Sequence, residues 1–101
     1  MRYYAWDPAK AASNERKHRV RFEIAVQVFD DPDALIDLDR FETGEWRWRT
    51  LGLVEGALLL LVVHTEDEDG DDEIIRVISA RRADREERRR YESARSSDSR
   101  R

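Results

Sequence analysis

Residues 73–91 read EIIRVISARRADREERRRY, and a change of period inside this stretch decides the fold. From Glu73 to Arg81 the side chains alternate like those of a half-buried strand. Strict alternation sends Ile74, Arg76, Ile78 and Ala80 to one face, and Ile75, Val77, Ser79 and Arg81 to the other. The period changes at Ala83. Asp84 is a good N-cap and Glu87 completes a capping box, so a helix starts here. Arg76, Arg81, Arg82, Arg85, Arg88, Arg89 and Arg90 crowd this strand-to-helix junction. Such density costs self-repulsion unless an anion binds. Phosphate is the anion whose oxygens the planar guanidinium matches. Spacing alone leaves the alternative open, a solvated helix face with glutamates interleaved.

Charge is distributed unevenly around this stretch. Residues 1–75 carry nine Lys and Arg against eighteen Asp and Glu, whereas residues 76–101 carry ten Arg against five acids. A chain of net charge -4 therefore still presents a strongly basic face. Charged residues make up 42% and hydrophobic ones 40% of the 101, enough for one small core built from a few strands. The longest apolar run, Ala57 to Val63, is far below the ~20 residues of a membrane-spanning helix. The N-terminus lacks the basic-then-apolar layout of a signal peptide, and a cytoplasmic location is expected. With no cysteine there is neither a disulfide framework nor a cysteine-based metal site.

Upstream, Met1 to Trp6 reads as a short first strand. Asp7-Pro8 opens a helix that runs to about His18, with Lys10, Asn14, Lys17 and His18 on one polar, basic side. A second helix is expected over Phe22 to Phe29, its stripe made by Ile24, Ala25, Val28 and Phe29 and its end set by Asp31-Pro32. Ala34 to Phe41, Glu45 to Val54 and Ala57 to Thr65 are further strands. In the second of these Trp46, Trp48 and Thr50 face one way, and Arg47, Arg49 and Leu51 the other. Glu66 to Asp72 reads as an acidic hairpin loop without the ligand spacing of an EF-hand, and no metal site is assigned. The C-terminal helix is expected to end near Ser93, before a flexible basic tail over 94–101. The fold class is α+β: an antiparallel sheet of three to four strands plus a short N-terminal strand. An N-terminal helical hairpin and a C-terminal helix lie on one face.

There is no Gly-rich phosphate loop, no H-E-x-x-H and no G-x-S-x-G. His64 and the arginines of the following strand meet across a hairpin, which places an imidazole close to a guanidinium. RNA cleavage without metal needs a proton acceptor, a proton donor and positive charge around an attacking 2′-OH. These residue types permit that chemistry. They equally permit RNA binding without catalysis.

Several segments together resemble the BrnT family. The opening matches in Trp6 to Lys10, Asn14, Lys17-His18, Val20, Phe22, Ala25 and Val28 to Pro32. The middle matches in Gly44-Glu45, Arg47 and Leu51-Gly52. Later matches are Val63-His64-Thr65, Arg76 to Arg81, and Arg85-Glu86 to Tyr91-Glu92. The resemblance implies a single RelE-like domain over 1–93, the toxin of a type II toxin–antitoxin module. It would be a metal-independent endoribonuclease that needs no cofactor and inhibits translation. It also implies a BrnA-like ribbon-helix-helix antitoxin in a heterotetramer, operator DNA reached only through that antitoxin, and no membrane partner. The alternative is a catalytically inactive module that acts through complex formation with a DNA-binding partner.

By the same resemblance the catalytic positions are Lys10, His64, Arg76, Arg81 and Tyr91. Arg76 and Arg81 hold phosphate, His64 or Tyr91 moves protons, and Lys10 adds charge. Lys17, His18, Arg47, Arg82 and Arg85 contact RNA. Arg76 and Arg81 fall on opposite faces of a regular strand, so a twist or strand end near Ala80 is required. Two positions depart from the family pattern. Arg19 stands where glycine is usual, and Arg21 where a small hydroxyl cap is usual.

Overall fold

The computed structural model describes residues 1–99, with side chains through Ser96. Five strands form one sheet in the order β1-β5-β4-β3-β2. They are β1 (Arg2–Ala5), β2 (Leu35–Glu42), β3 (Glu45–Val54), β4 (Leu58–Asp69) and β5 (Asp72–Arg82). β2 to β5 run as an antiparallel meander, while β1 pairs parallel with β5. The sheet is therefore mixed rather than purely antiparallel.

α1 (Pro8–His18) starts as its sequence dictates: Asp7 accepts a hydrogen bond from the Ala9 N–H at 2.9 Å, and Pro8 fills the first turn. Asn14 does not stand on a solvated face. It is buried, its amide donates to the carbonyls of Val20 (3.0 Å) and Ala80 (2.9 Å), and its oxygen accepts the Ala80 N–H. One side chain thus replaces a neighbouring strand where β1 no longer covers the edge of β5. α2 (Phe22–Ala25) is a single turn that tightens into a 3-10 segment, Val26–Asp30, instead of the continuous helix expected to Phe29. The 3-10 segment rests on β3 at Gly52, where an added Cβ would lie 2.8 Å from that of Val28.

α3 (Arg85–Ser99) opens on the capping box: the Glu87 N–H donates to Asp84, and the Asp84 N–H to Glu87, at 2.8 and 2.9 Å. It extends well past Ser93, so most of the expected tail 94–101 is helical; residues 100–101 lie outside the described residues.

α3 does not share a face with α1 and α2. Phe22, Ala25 and Val28 pack with Leu60, Val62, Val77 and Ala80, whereas Tyr91 packs with Leu51, Leu59 and Leu61. Leu59 and Leu61 alternate with Leu60 and Val62 along β4, so the two clusters lie on opposite sides of the sheet. The acidic stretch Glu66–Asp69 is strand, not loop. Its backbone pairs with Asp72–Ile75, and the turn contracts to Gly70-Asp71 with Gly70 at φ +63°. Beyond Trp48 and His64 the sheet forks. Residues 45–47 of β3 pair only with β2, and residues 65–69 of β4 only with β5.

Candidate functional site

β5 carries a bulge. Val63 lies opposite Ser79 but His64 lies opposite Val77, so Ile78 is the extra residue. One extra residue inverts the alternation beyond it. Arg76 sits opposite Thr65 and Arg81 opposite Leu61. Thr65 and Leu61 are four apart on β4, so both arginines face the same side, the side of α3. Arg49, opposite Val63, and Arg47, two residues before it, share that face. The required irregularity exists, two residues before the position expected for it.

The resulting bay is basic but crowded with counter-charges. Arg81 makes a bidentate pair with Glu87 at 2.8 and 2.9 Å, and Arg47 reaches Glu42 at 2.7 Å. Arg76 crosses the fork to pair with Glu45, and Arg90 on α3 pairs with Asp37 on β2. Arg81 holds the Glu87 carboxyl below its ordinary range against the opposing effect of burial, helped by the Asp84 N–H and the charge of Arg49. The same pair raises the Arg81 guanidinium further above neutrality. Among the described residues Arg49 has no carboxylate partner, and its buried Nε, like that of Arg47, lacks an acceptor. A cleft of about 460 Å³ opens beside it, lined by Arg49, Leu61, Asp84, Glu86, Glu87, Arg89 and Arg90.

A family model described as "Ribonuclease toxin, BrnT, of type II toxin-antitoxin system" matches residues 6–87. This chain belongs to the BrnT family. Among solved structures, the ribonuclease toxin BrnT of Brucella abortus resembles it at a TM-score of 0.59 and 22% identity, over 84% of this chain and 99% of that one. At that identity the likeness speaks for the fold. No curated protein matches the chain.

Of the positions expected from BrnT resemblance, Arg47, Arg76 and Arg81 meet on one face. Others do not. His64 lies on the opposite face, fully buried, with Nε2 2.7 Å from the Thr50 hydroxyl and the Phe29 ring edge-on at 4.8 Å. Burial pushes the imidazole down to about 4, a 3.4 Å contact to the Thr65 carbonyl offsetting only part. It is a neutral core residue, and the expected imidazole–guanidinium juxtaposition is absent because Arg76 points away from it. Tyr91 is also buried; its hydroxyl donates to Asp31 at 2.5 Å, and burial followed by that carboxylate pushes it up to about 12.

Lys10, Lys17 and His18 ride on α1, across the sheet from the bay. Arg82 is exposed on that same far side, and Arg85 is exposed at the start of α3. Sequence reasoning passed over Arg49, although the alternation Trp46-Arg47-Trp48-Arg49 groups it with Arg47. It also read Asp31 only as a helix terminator. Asp31 accepts from the Tyr91 hydroxyl, the Leu53 N–H and the Asp33 N–H, joining α3, β3 and the segment after α2. Burial alone would raise its carboxyl, but these three donors, Tyr91 foremost, bring it below the ordinary value. No described helix is long and apolar enough to cross a membrane.

Proposed function

We propose that this BrnT family protein is a cytoplasmic, RelE-like endoribonuclease that cleaves RNA without a metal. A BrnA-like ribbon-helix-helix antitoxin would neutralise it in a heterotetramer and alone touch operator DNA. One observation carries the catalytic part: Arg49, without a carboxylate partner among the described residues, borders an open cleft beside Arg81, Arg89 and Arg90 at the foot of α3. RNA lies along the basic sheet face. Its scissile phosphate enters the cleft, where Arg49 offsets charge on the phosphorane-like transition state. Glu86, exposed on the cleft wall and without a hydrogen-bond or ion-pair partner among the described residues, accepts the 2′-OH proton. The 2′ oxygen attacks phosphorus, the bond to the 5′ oxygen breaks as that oxygen takes a proton from solvent water in the open cleft, and a 2′,3′-cyclic phosphate results. Arg76 and Arg47 hold flanking phosphates by exchanging Glu45 and Glu42 for them.

The test is incubation of purified protein with RNA in EDTA, followed by analysis of fragment ends. Cyclic phosphate ends are expected, with a loss of roughly 10²–10³ in rate for Arg49→Ala. Intact RNA, or cleavage indifferent to Arg49 and Glu86, would overturn it.

The second reading, a catalytically inactive module, draws on a different observation. Arg47, Arg76 and Arg81 are each already matched by a carboxylate, and both expected proton carriers are buried. Expression separates the two. Growth arrest that Arg49→Ala abolishes and a neighbouring antitoxin relieves supports the nuclease; harmless expression with intact partner binding supports the module.

A further inference from the structure

On the far side of the sheet from the bay, Arg19, Arg21 and Arg82 ring a hollow of about 170 Å³ floored by Val20, Ile24, Leu58 and Leu60. A shallower depression adjoins it, bordered by Ala12, Glu15 and Arg16 along with Arg19 and Arg21. Among the described residues neither Arg19 nor Arg82 has a carboxylate within ion-pair distance; Arg21 has one exposed contact, to Glu23 at 3.3 Å. This is the reverse of the bay, where internal carboxylates answer most of the guanidiniums.

Two of the three arginines serve their local backbone badly. Arg19 ends α1 in the left-handed region, φ +58°, where a side chain is strained and glycine is not. Arg21 occupies the N-cap of α2 and makes no capping hydrogen bond, where Ser, Thr or Asp would. Local structure explains neither choice, yet both set a guanidinium at the rim of one apolar hollow, with Arg82 from β5 closing the ring. The negative end of the α1 dipole points here as well, but Arg16 and Lys17 in the last turn outweigh it.

The lining selects the occupant. An engineered cavity of about 150 Å³ holds a benzene-sized group, so this one takes a single Phe or Leu side chain. Its floor offers no hydrogen-bonding group, and its rim demands negative charge. A nucleobase is a poor match, since none of the lining residues is aromatic and single-stranded RNA is held by stacking. We propose that this corner docks an acidic polypeptide segment that inserts one apolar side chain among Arg19, Arg21 and Arg82. None of these residues lines the bay, so its failure would leave the RNA reading untouched, and the reverse.

Fluorescence anisotropy with the full chain tests it. The probes are a labelled peptide Asp-Glu-Phe-Asp-Glu, the same peptide with alanine for phenylalanine, and a labelled oligouridylate. The phenylalanine peptide is expected to bind at least tenfold more tightly than the alanine one, and to weaken as salt rises. Arg82→Ala and Arg19→Gly are each expected to weaken it about tenfold. Arg19→Gly should at the same time raise Tm by about 4 °C or more, because glycine relieves the left-handed strain. A purely structural Arg19 would move Tm alone. Equal affinity for the two peptides, affinity unchanged in both variants, or preferential oligouridylate binding that both variants abolish would each overturn the proposal.

Discussion

The two faces of the sheet hold positive charge in opposite ways. Toward α3, Arg47, Arg76, Arg81 and Arg90 are each drawn to a carboxylate from another turn or strand. Toward α1, Arg19 and Arg82 stand over aliphatic floor with no such partner among the described residues. The first arrangement organises the fold: Arg76–Glu45 spans the forked sheet, and Arg90–Asp37 ties α3 to β2. Half-exposed pairs of this kind contribute little net stability, and an incoming phosphate can replace the carboxylate at small cost. The second arrangement leaves charge uncommitted. Density of arginine in a sequence therefore does not say where the available charge lies.

The faces differ in packing too, and the strongest way to break the comparison is there. Phe22 is fully buried under α1 and the sheet, and Phe22→Ala is expected to cost about 3–5 kcal/mol in urea unfolding. A loss below about 1 kcal/mol would mean this face is not core.

Next comes His64. Its folded value of about 4 lies below the ordinary 6.5, so the unfolded chain binds the extra proton first. Stability should be fully present above pH 6.5 and fall by about 3 kcal/mol as pH drops toward 4. His64→Gln should flatten that slope, as followed by urea unfolding at several pH values. A slope that persists in the variant would show that His64 is not the group responsible.

Tyr91→Phe sharpens the comparison from the α3 side. Losing the donor to Asp31 is expected to cost about 1–3 kcal/mol. Asp31 is held below its ordinary 3.8, so its contribution is present above that pH and lost as pH falls further; the variant should lose less there. RNA cleavage, if measured, should survive Tyr91→Phe, whereas a proton-carrying Tyr91 would lose it. The smallest effect is expected from Arg21→Ser, which supplies the missing cap of α2 and should add about 0.5 kcal/mol in thermal unfolding.

Local grammar was readable without coordinates. Asp7-Pro8, the Asp84–Glu87 capping box, the Thr43-Gly44 turn and β3 over Glu45–Val54 all formed as expected, since each rests on residues near in sequence. The failures share a cause: a partner distant in sequence. Glu66–Asp69 looked like a repelling loop, but the backbone of Asp72–Ile75 holds it extended. Nothing in 73–82 marks Ile78 as supernumerary. Its place is fixed by β4 on one side and by Asn14, far upstream, on the other. The side chosen by α3 depends on Tyr91 finding both Leu61 and Asp31. His64 is expected at the site from the BrnT resemblance and from its place in the hairpin, and neither says what covers it. Phe29 and Thr50 cover it.

The bulge at Ile78 gives β5 two mutational phases. Upstream the intolerant positions are odd-numbered, Ile75 and Val77; downstream the rhythm shifts to even numbers, beginning at Ala80. A saturation scan through this strand should therefore show its sensitivity pattern skip one beat at Ile78. Removing a single residue there would restore an unbroken beat and leave every pairing with β4 in place, with Arg76 and Arg81 still on one side.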